Sequence, residues 1–231
     1  MKVSRSRYIA LVAIFSAISF VLMLLDFAIP ALIPNFVKMD FSELPALIAS
    51  FALGPMAGVL VCFIKNLIHL TVTSTAGVGE LANFIIGAAL VFPAGMIYKY
   101  HKNKKYAIIA CLVGAVVMGL ASYPLNLWVT YPFYYSAFHF PKEAIIKMYH
   151  DILPAVNSIE LALLVFNVPF TMLKGLLVAI MTILIYKPLS PIIHGYGKYA
   201  IGKEKLQQLQ NSEEPQEVKT EETPQEEPKQ E

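Results

Sequence analysis

Four stretches of this chain run for 18 residues or more without one charged side chain, and they restrict the fold more than anything else in the sequence. They are Tyr8–Leu25, Leu44–Ile64, Leu81–Tyr98 and Tyr106–Pro141. About 18 apolar residues suffice for a helix to cross the hydrocarbon core of a bilayer. The runs are continuous rather than alternating, which excludes a transmembrane β-barrel. Of the 231 residues, 57% are hydrophobic and 15% charged, whereas a soluble domain is nearer half apolar and a quarter charged. The expected fold is therefore an all-α integral membrane protein. The first run is read as a retained helix rather than a signal peptide, because Leu25-Asp26-Phe27 follows it instead of small residues. Both cysteines, Cys62 and Cys111, lie inside apolar runs and form neither a metal pattern nor a disulfide pattern.

Charge orients the helices. Basic residues gather at Lys2, Arg5 and Arg7, at Lys99, Lys102, Lys104 and Lys105, and at Lys187, Lys198, Lys203 and Lys205. Basic loops stay in the cytoplasm, so all three clusters are expected there. A single crossing over Leu44–Ile64 would strand the second cluster outside. Breaking that run at Leu53-Gly54-Pro55 removes the conflict, since glycine ends one helix and proline starts the next. The expectation is then six transmembrane helices with the second one short. They start at about Tyr8 and continue with Glu43 to Leu53, Pro55 to about Ser74, about Gly79 to Tyr100, Tyr106 to about Tyr134, and Asn157 to about Lys187. Both termini are cytoplasmic. An 11-residue helix reaches only about 16 Å, so the second must pack among the others. Residues 1–190 make the membrane domain and 191–231 a cytoplasmic tail. From about 211 the tail is acidic, with eight Glu against two Lys and almost nothing apolar, which predicts disorder.

Mapped onto this topology, the polar residues lie on one side. Lys38, Asp40, Ser42 and Glu43 fall on the outer loop before the second helix. Asn66, His69, Glu80, Asn83, Tyr123, Asn126, Asn157, Glu160 and Asn167 fall in the outer half of the bundle, with Lys65 and Lys174 nearer the midplane. A channel or proton relay would carry polar groups through both halves. A cavity open to the outside and closed below by aliphatic residues suits capture of a flat, partly polar ligand. Bland roles compete. Trp128, Tyr131, Tyr134 and Tyr135 suit an interfacial aromatic belt, His69 suits an interhelical contact, and Lys65 suits a structural one. Lys174, expensive in a membrane without a partner, suits pairing with Glu160 or Glu80 as well as ligand contact. No GxxxxGK[ST], HExxH, CxxC or GxSxG occurs. No catalytic residue and no metal ligand is assigned, and no nucleic-acid partner is expected. A membrane enzyme acting on lipid, with Glu43, Glu80, Glu160 and His69 as acid–base groups, is the contrasting reading. Ala13 and Ala17, four residues apart on the first helix, offer a small-residue face to a partner helix or to the bundle itself.

The stretch from Lys38 to Pro45, followed by Leu53-Gly54-Pro55 and Lys65-Asn66, resembles the substrate-binding S component of energy-coupling factor (ECF) vitamin transporters. Gly79-Glu80-Leu81-Ala82-Asn83-Phe84, Asn167-Val168-Pro169 and Leu173-Lys174-Gly175 resemble its riboflavin-specific branch, over about residues 1–190. The resemblance implies a six-helix fold in the cell membrane. It implies riboflavin, or its mononucleotide, carried as ligand rather than cofactor. It further implies a transmembrane coupling subunit (EcfT-type) met by Ala13 and Ala17, and two ATPase subunits. The expected ligand-binding residues are Asp40, Glu43, Leu44, Glu80, Asn83, Tyr123, Asn126, Asn167 and Lys174. Asn83, Asn167 and Lys174 are placed on the flavin ring, and Asp40 and Glu43 near its ribityl chain. An S component for another vitamin would share this scaffold.

Overall fold

The structure, a computed structural model, describes residues 4–185. Five helices are long and apolar enough to cross a membrane. They are α1 (Arg5–Leu24), α3 (Pro55–Val72), α4 (Val78–Tyr100), α5 (Lys104–Ala137) and α7 (Ile159–Ile185). The short apolar helix α2 (Glu43–Leu53) stands between α1 and α3, and a further helix, α6 (Lys142–Ile152), joins α5 to α7. The starts follow local chemistry. Ser4, Asn103 and Ser158 each accept a backbone N–H of the first turn of α1, α5 and α7, satisfying donors that the helix leaves free.

The break between α2 and α3 falls where glycine and proline place it. Gly54 has φ 108° and ψ 164°, a backbone that L side chains rarely adopt, and Pro55 opens α3. Nine consecutive residues of α2, Glu43 to Phe51, are buried. A helix too short to span is thus wrapped by protein on all sides, mainly by α1, α3 and α4. Its contact with α4 is close enough to require a bare backbone: a Cβ on Gly95 would lie 2.0 Å from Ser50 Oγ and 2.9 Å from Pro55 Cα. Outward faces are apolar instead. Ile14, Ile18 and Val21 on α1, Leu112, Val116 and Leu120 on α5, and Leu164 and Ile180 on α7 are all exposed, as helices surrounded by lipid tails require.

Between α1 and α2, β1 (Phe27–Ala28) and β2 (Lys38–Met39) pair antiparallel, Phe27 opposite Met39 and Ala28 opposite Lys38. This pins the loop 29–37 at its base, where Lys38 Nζ also meets the Asp26 carboxylate at 2.9 Å. Two helices widen locally into π turns, at Asn126–Thr130 in α5 and Leu163–Asn167 in α7. Each π turn has a proline two residues away, Pro124 and Pro132 for the first and Pro169 for the second. A proline removes one donor from the ladder and crowds the preceding turn, and the wider register accommodates the loss.

The helix α6 was not expected from the sequence, which left residues 135–156 as an outer connection. Its signature is present in retrospect: Ile145, Tyr149 and Ile152 recur at i, i+4 and i+7. Ile145 and Tyr149 are fully buried in a cluster with Ile33, Tyr131, Ile159 and Leu163. Residues 186–231, with the third basic cluster and the acidic tail, lie outside the described residues, as do Met1, Lys2 and Val3.

Candidate ligand-binding site

A polar cavity of about 170 Å³ opens between α4, α5, α7 and the loop 29–37. Asn83 reaches it from α4, Asn126, Thr130, Tyr131 and Tyr134 from α5, and Asn167, Thr171 and Lys174 from α7. Phe36 and Val37 of the loop cover it, and Ala82, Ile86, Met118 and Phe170 give it apolar walls. The two π turns supply Asn126, Thr130 and Asn167. Such turns re-aim side chains and recur at binding sites. A second, more apolar recess of about 330 Å³ adjoins it through the shared Phe36, Lys38 and Tyr134. The Phe36 ring stands edge-on to Tyr131, Tyr134 and Tyr149, with centroids 6.1, 6.4 and 6.3 Å apart.

The amides are held in place by the protein. Asn83 Oδ1 accepts from Asn66 Nδ2 at 3.4 Å, which leaves the Asn83 amino group to the cavity. Asn167 Oδ1 accepts from the Tyr149 hydroxyl at 2.6 Å, and Asn167 Nδ2 donates to the Tyr131 oxygen at 3.2 Å. An amide carries two N–H bonds, so one remains. Thr130 Oγ1 is buried with no hydrogen-bond partner among the described residues, a group that a ligand could satisfy.

Beneath the cavity sits a cluster of four charges. Lys174 Nζ donates to Asp40 Oδ2 at 2.9 Å and lies 3.0 Å from Glu43 Oε2, an ion-pair contact outside hydrogen-bond geometry. Lys65 Nζ donates to Glu43 Oε1 at 2.9 Å and to the Ser42 hydroxyl, which in turn donates to Asp40 Oδ1. The Ser42 backbone N–H also reaches Asp40 Oδ1, at 2.8 Å. Burial acts to raise the Asp40 carboxyl, but the Lys174 and Lys65 charges and the Ser42 hydroxyl outweigh it and hold the group well below the usual carboxylate range.

Several sequence expectations are redistributed. Asn83, Asn126, Asn167 and Lys174 line the cavity together. Lys174 pairs with Asp40 and Glu43, not with Glu160 or Glu80. Glu160 is exposed. Glu43 is not a loop residue near water: it opens α2, is 0% exposed and is clamped by two lysines. Glu80 is committed to His69 Nδ1 at 2.8 Å and to the Thr73 and Thr75 hydroxyls at 2.9 Å each. It ties α4 to the end of α3 and does not line the cavity. Leu44 is buried in α2 and Tyr123 packs beside the apolar cluster around Tyr149, and neither lines the cavity. Trp128 is 74% exposed and points outward, whereas Tyr131, read from sequence as a belt residue, is buried at the cavity. Thr130 and Tyr134 also line the cavity, beyond the residues the sequence indicates. The only sequence signal was the pair of prolines around the π turn.

A helical membrane protein with a polar cavity covered by a pinned loop is the class that fold and site define. Residues 7–186 match the family described as the ECF transporter, substrate-specific component, and the chain belongs to that family. It is 30% identical over 190 residues to the riboflavin transporter RibU of Staphylococcus aureus (strain TCH60), covering 82% of this chain and 94% of that one. It is 33% identical over 196 residues to the riboflavin transporter FmnP of Bacillus subtilis (strain 168), covering 84% and 95%. Among solved structures it superposes on the S component of a bacterial ECF transporter with a TM-score of 0.67 at 29% identity, covering 82% of this chain and 99% of that one.

Proposed function

We propose that this chain captures riboflavin at the outer face of the cell membrane, as the binding subunit of an ECF importer. The observation that carries the reading is the direction of the cavity's hydrogen bonds. Asn83 and Asn167 both turn their carbonyl oxygens into the protein and keep N–H groups for the cavity, and Lys174, already bonded to Asp40, adds an ammonium N–H. The pyrimidine edge of an isoalloxazine presents two carbonyl oxygens and ring nitrogens against one N–H, so a donor-rich site complements it. Tyr131, Tyr134 and Phe36 provide aromatic surface for the rings. The names of the RibU and FmnP relatives point to the same ligand.

In this reading six helices cross or enter the bilayer, α2 among them, with both termini in the cytoplasm and residues 191–231 as a cytoplasmic tail. Ala13 and Ala17, exposed on α1, receive a transmembrane coupling subunit of the EcfT type that works with two ATPase subunits. Asp40 and Glu43 act on the ligand through Lys174, whose ammonium they hold at the floor of the cavity.

The test is gentle purification followed by calorimetric titration. A yellow preparation, or a colourless one that binds added riboflavin, supports the reading. A colourless preparation that ignores riboflavin and binds another vitamin would reassign the ligand within the same family.

A further inference from the structure

We propose that Tyr149, on the connecting helix α6, is a positioning residue for ligand capture, orienting Asn167 through a closed ring of three hydrogen bonds. This rests on the riboflavin site proposed above. The ring is Tyr131 to Tyr149 to Asn167 and back to Tyr131.

With the Asn167 oxygen on the 2.6 Å contact and its nitrogen on the 3.2 Å one, proton counting fixes the direction. Tyr149 has a single hydroxyl hydrogen, and it goes to Asn167 Oδ1 at 2.6 Å. The contact between the two phenol oxygens must then be donated by Tyr131. The Tyr131 oxygen, its own hydrogen spent, accepts from Asn167 Nδ2. Every donor that enters the ring is used once. Tyr131 and Asn167 line the cavity, whereas Tyr149 does not, and it is fully buried behind them. Burial pushes its phenol well above the ordinary tyrosine value, so the hydroxyl stays protonated at working pH.

What the ring decides is the face that Asn167 shows to the ligand. With Oδ1 engaged by Tyr149, the amide presents its remaining N–H at a set angle, and a ligand acceptor placed there is rewarded. Without the Tyr149 hydroxyl, Oδ1 loses its partner in a buried site, and the amide turns over to bond Tyr131 by either end. The turned-over orientation faces the ligand's carbonyl with oxygen. The same hydroxyl ties α6 to Tyr131 of α5 and Asn167 of α7, beside the apolar packing of Ile145.

The test is a double-mutant cycle on the full chain, read by calorimetric titration with riboflavin. Tyr149→Phe removes one oxygen and should weaken binding about tenfold, which is about 1.4 kcal/mol. In an Asn167→Ala background the same change should cost less than twofold, because Tyr149 then has nothing to orient. A role confined to folding would give equal losses in both backgrounds and overturn the proposal. So would a Tyr149→Phe protein that binds like the parent. Should Tyr149→Phe fail to fold, Tyr131→Phe opens the ring from the other side. Tyr131 also lines the cavity, so only the part of its effect that passes through Asn167 must disappear when Asn167 is Ala, and an undiminished effect overturns the proposal. A parent protein that does not bind riboflavin at all would sink the ligand assignment instead.

Discussion

Lys174 joins the floor of the cavity to the charge cluster beneath it, so its replacement has two separable effects. Lys174→Ala removes a donor from the cavity and leaves Asp40 and Glu43 to share the one remaining cation of the cluster, Lys65. Breaking one partner out of a buried ion pair costs about 3–5 kcal/mol. Lys174→Ala should therefore both lose riboflavin affinity and melt well below the parent. Glu43→Ala should melt low too, since it abandons Lys65 in a fully buried site. An outer loop, where the sequence places Glu43, would screen its loss with water. Burial removes that screening, and a Glu43→Ala protein that melts with the parent would show the cluster to be dispensable. Asn83→Ala and Asn167→Ala should behave differently. Each should weaken riboflavin by roughly ten- to a hundredfold, about 1–3 kcal/mol, while melting within a few degrees of the parent. The pH dependence follows from the depressed Asp40 carboxyl. A group whose folded value is lowered contributes stability above its unfolded value of about 4 and loses it only as pH falls through the folded one. The stability gap between the parent and Asp40→Asn should thus stay constant from pH 8 to 5 in thermal melts. Residue types announced most of this site, because amides and a lysine within apolar runs are conspicuous. Their partners were not legible: Lys174 and Asp40 are 134 positions apart, and no local pattern encodes such a pairing.

Helices were more legible than the contacts between them. Charge-free runs, capping residues and the Gly54-Pro55 break act locally, and the described bounds of α2, Glu43 and Leu53, coincide with those expected. The π turns were hidden, since they depend on a change of hydrogen-bond register that composition does not reveal. The helix α6 is hidden in the sequence because it is short, buries only Ile145 and Tyr149, and is interrupted by Lys142, Glu143, Lys147 and Asp151. At this scale α1 makes the sharpest prediction. The sequence left open whether Ala13 and Ala17 face a partner or the bundle, and both are exposed, on a stripe that includes Ile14, Ile18 and Val21. Replacing both alanines with Trp should abolish riboflavin uptake by cells and leave the affinity of the purified subunit unchanged. Bulk on a small-residue face blocks a close helix approach without touching a cavity built from α4, α5 and α7. Lost affinity with uptake-complex assembly intact would place that face inside the bundle.

Across the whole molecule, orientation was read from lysines and arginines rather than from packing. Protease added to intact cells should spare the acidic tail, whereas cleavage of the tail from outside would overturn the six-helix arrangement. The class of fold was legible because a bilayer leaves few choices to a chain with such long uncharged runs. The shape of the cavity was not, since it arises where three distant helices and a loop meet. The four charges under that cavity have a consequence for energetics. Two carboxylates and two ammoniums sum to zero, and riboflavin is itself neutral. Loading the site displaces no counter-ion, and an elementary charge crossing the bilayer would feel about 2.3 kcal/mol per 100 mV, a force that finds nothing here to act on. Filling the site leaves its net charge unchanged, so riboflavin capture should be equal in energised and depolarised cells, with voltage neither loading the vitamin nor expelling it.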